Sequence, residues 1–237
     1  MAAPAHATRI VSLNLCTDEL LTLLAPTSIT ALSPLARDPS LSVVATQAAS
    51  LPWVRPDAEA VLRLHPDLVL AGAYGAQTVL AVLRGRGIHV VQLDEPTDFV
   101  GVAAEVTQVA ALVGQPAGGS AMVARMWARL LSVHKAAGRA ILWQARGFTA
   151  GPGSFGDAVL RAAGLRDAGT GGRIGIEAMV AHPPDLLVSE AAPTMPSLST
   201  DMLAHPALTR IRRLTVDPAW LACPGPWSAQ AVAALAG

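Results

Sequence analysis

Short runs of branched and aliphatic residues alternate along this chain with stretches in which apolar positions recur every three or four residues. "RIVSL" (9–13) has the length and branching of a strand, and "CTDELLTLL" (16–24) has helical spacing, with Thr17 or Asp18 as a cap and Pro26 as a stop. After a polar, proline-bearing stretch (33–56), "DAEAVLRL" (57–64) predicts a helix and "DLVLA" (67–71) a strand. "AQTVLAVLRGRG" (76–87) then predicts a helix closed by glycine, and "HVVQL" (89–93) another strand. Strand and helix in alternation imply a parallel sheet covered by helices.

The pattern changes from 98 to 137. "DFVGVAAEVTQVAALVG" (98–114) and "AGGSAMVARMWARLLSVHKAAG" (117–138) are consecutive helical segments with no strand between them. The second has room for about 20 residues, about 30 Å at the usual helical rise. Alternation then resumes with "AILWQ" (140–144), a glycine-rich loop, "FGDAVLRAAG" (155–164), "IEAMVAH" (176–182), "DLLVS" (185–189), a proline-rich loop, "HPALTRI" (205–211), "LTV" (214–216) and "SAQAVAALA" (228–236).

The two halves also share a phrase. "EAVLRLHPDLVL" (59–70) returns as "EAMVAHPPDLLV" (177–188), aligning Glu59 with Glu177 and Pro66-Asp67-Leu68 with Pro184-Asp185-Leu186 without a gap. In each copy a short helix carrying the glutamate at its start stops at proline, and the aspartate leads into a buried strand. The period is too long for a solenoid. The expected architecture is therefore α/β, with two similar lobes of mainly parallel sheet: a tail at 1–8, an N-terminal lobe at 9–96, a helical linker at 97–138 and a C-terminal lobe at 139–237.

Composition removes several function classes. With 237 residues, 52% of them hydrophobic and 14% charged, the chain has enough apolar surface for a large core. Its 17 basic and 17 acidic side chains balance, without the electrostatic footprint of a polyanion binder. Prolines, arginines and histidines interrupt every hydrophobic block before the roughly 18 to 20 residues a bilayer span needs. "MAAPAHA" has no secretory-signal pattern. Two cysteines, Cys16 and Cys223, are too few for a disulfide scaffold or a thiolate zinc site.

Taken as an ordered set, "RIVSLNLCTDELLTLL", "EAVLRLHPDLVLAG", "GIHVVQLD", "GPGSFGDAVLRAAGL", "IEAMVAHPPDLLV", "HPAL" and "CPGPWSAQAVAALA" resemble the substrate-binding proteins of ABC importers for cobalamin, ferric siderophores and haem, the BtuF-like group. The resemblance covers nearly the whole chain. It implies two α/β lobes joined by a single long linker helix, matched by the stretch near 117–137, and a periplasmic location. It also implies capture of a metal chelate, a corrinoid or ferric siderophore, in an interlobe cleft, by a monomer that hands it to an ABC permease dimer. In this group a surface glutamate of each lobe meets arginines of one permease subunit, and the matching positions are Glu59 and Glu177. A carboxylate near a helix N-terminus is also favoured by about 0.3 to 1 kcal/mol with no partner at all.

Aromatic residues make up only 4% of the chain, yet Trp53, Tyr74, Phe148, Trp220 and Trp227 fall in predicted loops. A cleft for a large flat ligand needs such rigid rings, and the carboxyl ends of the strands are where loops of open sheets converge. Trp53 and Trp220 are the foremost candidates because their spacing resembles that of cleft tryptophans in cobalamin binders. For Phe148 and Trp227, packing over a loop is an equal alternative, and Trp127 reads as core. Arg146 follows a strand and Arg173 sits in the glycine-rich "GTGGRIG" (169–175); both are expected to face the cleft and suit planar or bidentate contacts to the ligand.

Haem-binding relatives usually place a tyrosine before the first glutamate, where this chain has Trp53; Tyr74 keeps a haem-binding protein as the alternative. No metal cluster can be assembled, since His65 and His182 lie at strand starts, away from the expected cleft, and no cofactor is expected. Neither "GTGG" nor "GPG" has a phosphate-loop lysine. From a different class, a small α/β enzyme using Cys16 as nucleophile lacks any base that can be placed beside it. Cys16 and Cys223 are expected as free thiols, because a bridge needs Cα atoms within about 4.4 to 6.8 Å.

Overall fold

The computed structural model describes residues 7–144, 147–190 and 202–237. The chain divides into two compact units, Met1–Pro96 with Val100–Arg125, and Thr97–Phe99 with Met126–Gly237. Residues 1–6, most of the expected tail, lie outside the described residues.

In the first unit β1 (Ile10–Ser12), β2 (Ile29–Ala31), β3 (Leu68–Gly72) and β4 (His89–Leu93) form a parallel sheet in the order β2-β1-β3-β4. Ile10 to Ser12 and Leu68 to Ala71 are all buried. Strands buried on both faces read as continuous apolar runs, not as alternation. β2 has only three residues and no such run, which hid it from the sequence pattern. The helices are α1 (Leu15–Leu24), α2 (Ala45–Ala48), α3 (Ala58–Arg63) and α4 (Gln77–Gly85). Val11, Val61, Val69, Leu80 and Leu83 meet in the core.

The second unit repeats the plan with β5 (Arg139–Trp143), β6 (Arg166–Asp167), β7 (Leu186–Glu190) and β8 (Arg212–Val216), parallel and in the order β6-β5-β7-β8. Among the described residues its helices include α7 (Phe155–Ala162), α8 (Ile176–Ala181) and α9 (Ala229–Ala236), with α9 packed beside α7. Ile141, Trp143, Met179, Leu187 and Leu208 form its core. In both units, then, the first strand lies between the second and the third.

The repeated aspartates account for part of the duplicated phrase. Asp67 Oδ2 accepts from the backbone N–H of Arg9 at 3.0 Å and of Thr8 at 3.1 Å, while its own N–H donates to the Arg9 carbonyl at 2.9 Å. Asp185 Oδ2 likewise accepts from Arg139 N–H at 2.7 Å, and the Asp185 backbone N–H donates to the Arg139 carbonyl at 2.9 Å. Each aspartate thus fixes where the first strand of its unit meets the third.

The stretch expected as helical linker holds α5 (Phe99–Leu112) and α6 (Pro116–Leu131), separated by a turn with Gly114 at φ +72°. The boundary between the units falls inside α6, after Arg125. α6 ends at Leu131, short of the expected 137. Residues beyond it are taken by α7: Ala136 N–H donates to Ala163 O at 2.8 Å, and Lys135 Nζ to Ala162 O. Orphan carbonyls at the end of one helix therefore recruit the chain that leaves the other.

Candidate functional site

Open parallel sheets place ligands beyond the carboxyl ends of their strands, at the point where the strand order reverses. In the first unit that point lies between β1 and β3. Asn14 follows β1 and caps α1, its Oδ1 accepting from Cys16 N–H at 2.9 Å and Thr17 N–H at 3.3 Å. The cap is Asn14, not Thr17 or Asp18. Its amide lies against the end of β3, where a Cβ on Gly72 would fall 2.8 Å from Asn14 Nδ2. Glycine is what lets the capping loop approach. Beside it Gln92 Nε2 donates to Gly72 O at 3.4 Å, and Arg84 Nη2 donates to Gln92 Oε1 at 2.6 Å.

Two predicted aromatic residues stand at this end of the sheet. Trp53 extends the sheet edge past β2, since Leu32 N–H donates to Pro52 O at 3.0 Å and Val54 N–H to Leu32 O at 2.8 Å. Its side chain is 46% exposed, with the Arg37 guanidinium 5.9 Å from the ring centroid. Tyr74 occupies the turn after β3 and is 82% exposed.

Beneath them α1 carries a buried acidic pair, Asp18 and Glu19, of which the sequence pattern offers only Asp18, and that as a cap. Asp18 accepts from Ser33 N–H at 3.0 Å and from Ser33 Oγ at 2.5 Å. Glu19 Oε1 accepts from Val43 N–H at 2.8 Å. Burial pushes the Asp18 carboxyl up to about 7 and that of Glu19 up to about 8, with the Asp18 charge adding to the Glu19 shift. Among the described residues Glu19 Oε2 and Thr22 Oγ1 have no hydrogen-bond partner. The pair anchors the segment from Ser33 to Val43 that leads towards Trp53.

In the second unit the loop after β5 returns to pair with residues 172 and 173. Thr149 N–H donates to Gly172 O at 3.0 Å, and Phe148 bridges Arg173 in antiparallel fashion. The Arg173 guanidinium sits 5.2 Å from the Phe148 ring centroid, and Phe148 is 43% exposed. Phe148 and Arg173, predicted separately, are therefore brought together. Arg146 lies outside the described residues. Trp220 closes a short 3-10 turn after β8, capped by Asp217, and is half-buried.

Trp227 corrects the expectation. It is 6% exposed, its indole N–H donates to Cys223 O at 3.0 Å, and its ring fills the space where a Cβ of residue 225 would stand. Such a ring packs its own unit and presents no face. Trp127 is half-buried, and the buried positions of α6 near it are Met122, Met126 and Leu130.

A cavity of about 260 Å³ opens on β7 and β8, lined among others by Leu187, Ser189, Glu190, Arg213 and Thr215. None of the predicted aromatic residues borders it. Burial raises the Glu190 carboxyl there.

Cys16 and Cys223 are both disulfide-bonded, against the expectation of free thiols. That expectation rested on a separation that no local sequence feature encodes. Glu59 and Glu177 lie in the first turns of α3 and α8, both exposed, and Glu59 is 3.8 Å from Arg63. Among the described residues no group of three metal-ligating side chains forms, and no helix is long and apolar enough to cross a membrane.

A family model described as periplasmic binding protein matches residues 10–212. A cobalamin-binding protein of Halobacterium salinarum is 32% identical over 145 residues, which cover 55% of this chain and 39% of that relative. The match thus spans well under two thirds of the relative's length. A solved structure from Staphylococcus epidermidis, described as a possible iron-binding periplasmic solute-binding protein, superposes with a TM-score of 0.78 at 20% identity over 98% of both chains. A periplasmic haem-binding protein from Pseudomonas aeruginosa does so with a TM-score of 0.75 at 24% identity, over 97% of this chain and 91% of that one. At such identities these structures establish a common fold.

Proposed function

Because the chain belongs to the periplasmic binding protein family, we propose that it captures a metal chelate, a corrinoid or ferric siderophore, and delivers it as a monomer to the permease dimer of an ABC importer. The family consists of binding proteins, not enzymes, and Cys16, the nucleophile of the catalytic alternative, is held in a disulfide. The mechanism is recognition and docking in the periplasm, with no covalent change to the ligand.

One observation carries this reading. In each unit a loop beyond the carboxyl end of the sheet presents a half-exposed aromatic ring with an arginine at its side, Trp53 with Arg37 and Phe148 with Arg173. Rigid rings lose little entropy on contact and suit flat, partly apolar ligands, while the arginines suit carboxylate or amide groups at the ligand rim. The likeness to a cobalamin-binding protein supports the corrinoid arm. Tyr74 supports a second reading, haem, because it is the sole tyrosine of the chain and stands 82% exposed at the same end of the first sheet.

Equilibrium titration with cyanocobalamin, a ferric hydroxamate siderophore and hemin tests both. The expected result is stoichiometric binding of one of the first two, with quenched tryptophan fluorescence, and an affinity about tenfold weaker or worse in Trp220→Ala. Binding of hemin alone, abolished in Tyr74→Ala, would select the second reading. Failure of all three chelates to bind would sink both.

A further inference from the structure

Trp53 is held by more than its own backbone. The carbonyls of Ala48 and Leu51, at the end of α2 and in the loop before Trp53, turn towards Arg37, whose Nε donates to Ala48 O at 3.3 Å and whose Nη2 donates to Leu51 O. The same guanidinium lies 5.9 Å from the Trp53 ring centroid. Arg37 closes the 3-10 turn Pro34–Arg37, and the residue before that turn, Ser33, is fixed to the buried Asp18 by two hydrogen bonds, at 3.0 and 2.5 Å. An unbroken line of contacts therefore runs from the core helix α1 through Ser33 and Arg37 to the indole.

We infer that Arg37 is a positioning and specificity residue: it fixes the Trp53 ring and sets a positive charge beside it, so that this wall favours neutral or anionic chelates over cationic ones. The inference rests on the reading of Trp53 as a ligand wall. Arginine suits the task because its planar group uses its edge for carbonyls and its face for an aromatic ring, whereas lysine offers one compact charge that does neither in the same geometry. A ring fixed before the ligand arrives has no rotamer freedom left to lose on binding. A half-buried cation beside it also acts on ligand charge through a medium less polar than bulk water.

The test uses Arg37→Gln and Arg37→Lys, each alone and combined with Trp53→Phe, with thermal unfolding as the check on folding. The Trp53 component of the fluorescence is the difference between the unmutated protein and Trp53→Phe, and it is probed with iodide and with caesium ions. Iodide should quench this component more than caesium does. In Arg37→Gln the ratio should fall about twofold or more, whereas Arg37→Lys retains part of it. Cyanocobalamin and hemin then report binding. Whichever probe binds should weaken about two- to tenfold in Arg37→Gln, the loss expected from freeing one ordered ring. Lysine should fail to rescue it, and Arg37→Gln should cost less once Trp53 is Phe, because the smaller ring gives the guanidinium less to hold.

An unchanged quenching ratio in Arg37→Gln overturns the inference, as does an affinity loss that is equally large with and without Trp53. If Trp53→Phe leaves the affinity of a bound probe unaltered, the wall itself is refuted and the inference with it. If neither probe binds the unmutated protein, the chelate reading fails for these ligands, while the ion-quenching ratio still decides whether Arg37 charges and fixes the ring.

Discussion

A carboxylate buried on a core helix ties stability to proton concentration. Asp18 and Glu19 hold Ser33 and Val43, yet burial lifts them to about 7 and about 8 from ordinary values of 3.8 and 4.5. A carboxyl raised on folding binds protons more tightly in the native state than in the unfolded one. Its contribution is whole below the unfolded value and is lost as pH rises through the folded one. The thermal midpoint should therefore fall as pH is raised from 5 to 8, and Glu105, raised to about 7 by burial and by Glu95, acts with the same sign. Asp18→Asn with Glu19→Gln should flatten that slope, leaving the part due to Glu105 and to the other carboxyls that burial raises, Asp167 and Glu190. Calorimetry at several pH values that finds the same slope in the double variant would remove the pair as its source. The same two residues show a limit of sequence reading. An acidic residue near the start of a helical pattern reads as a cap, and only the packing of 33–44 over α1 reveals it as buried.

At the scale of elements, what was legible followed from length and burial. β3, β5 and β7 were readable because a central parallel strand covered on both faces leaves an unbroken apolar run, and the edge strand β4 because three of its five residues are still aliphatic. β2 (Ile29–Ala31) and β6 (Arg166–Asp167) were not, because two or three residues of edge strand hold no pattern and depend on their neighbour for existence. The early end of α6 was hidden for a similar reason, since its last expected turn is claimed by carbonyls of α7, far away in sequence. In the candidate site the aromatic loops were visible as residue types out of place. The pairing of Phe148 with Arg173 and of Trp53 with Arg37 was not, since each joins segments at least 16 residues apart. Asn14 was also missed, although it stands one residue before α1 where a cap belongs. Asn14→Ala removes the acceptor for two backbone N–H groups, and the expected cost is about 0.5 to 2 kcal/mol in urea unfolding. A cost near zero would mean that water caps α1 equally well.

For the whole molecule the question is why one phrase is written in both halves, and the structure divides the answer. Asp67 and Asp185 are spent inside the fold, each holding the start of a first strand against a third. Glu59 and Glu177 are not accounted for in this way. Both are exposed in the first turn of a six-residue helix. The contact of Glu59 with Arg63, at 3.8 Å between side chains 87% and 71% exposed, is of a kind that contributes only about 0 to 1 kcal/mol. A surface charge repeated without internal use is suited to a partner that is itself repeated, as the two permease subunits of the proposed importer are. Glu59→Ala with Glu177→Ala should therefore leave stability within about 0.5 kcal/mol and chelate affinity within about twofold, while abolishing stimulation of ATP hydrolysis by the reconstituted transporter. Asp67→Asn and Asp185→Asn should do the opposite, lowering the urea midpoint of unfolding and leaving the folded fraction able to stimulate. Loss of chelate affinity in the glutamate double variant, or full stimulation by it, would refute the docking role, because either result would place the repeated charge somewhere other than on the face that meets the permease.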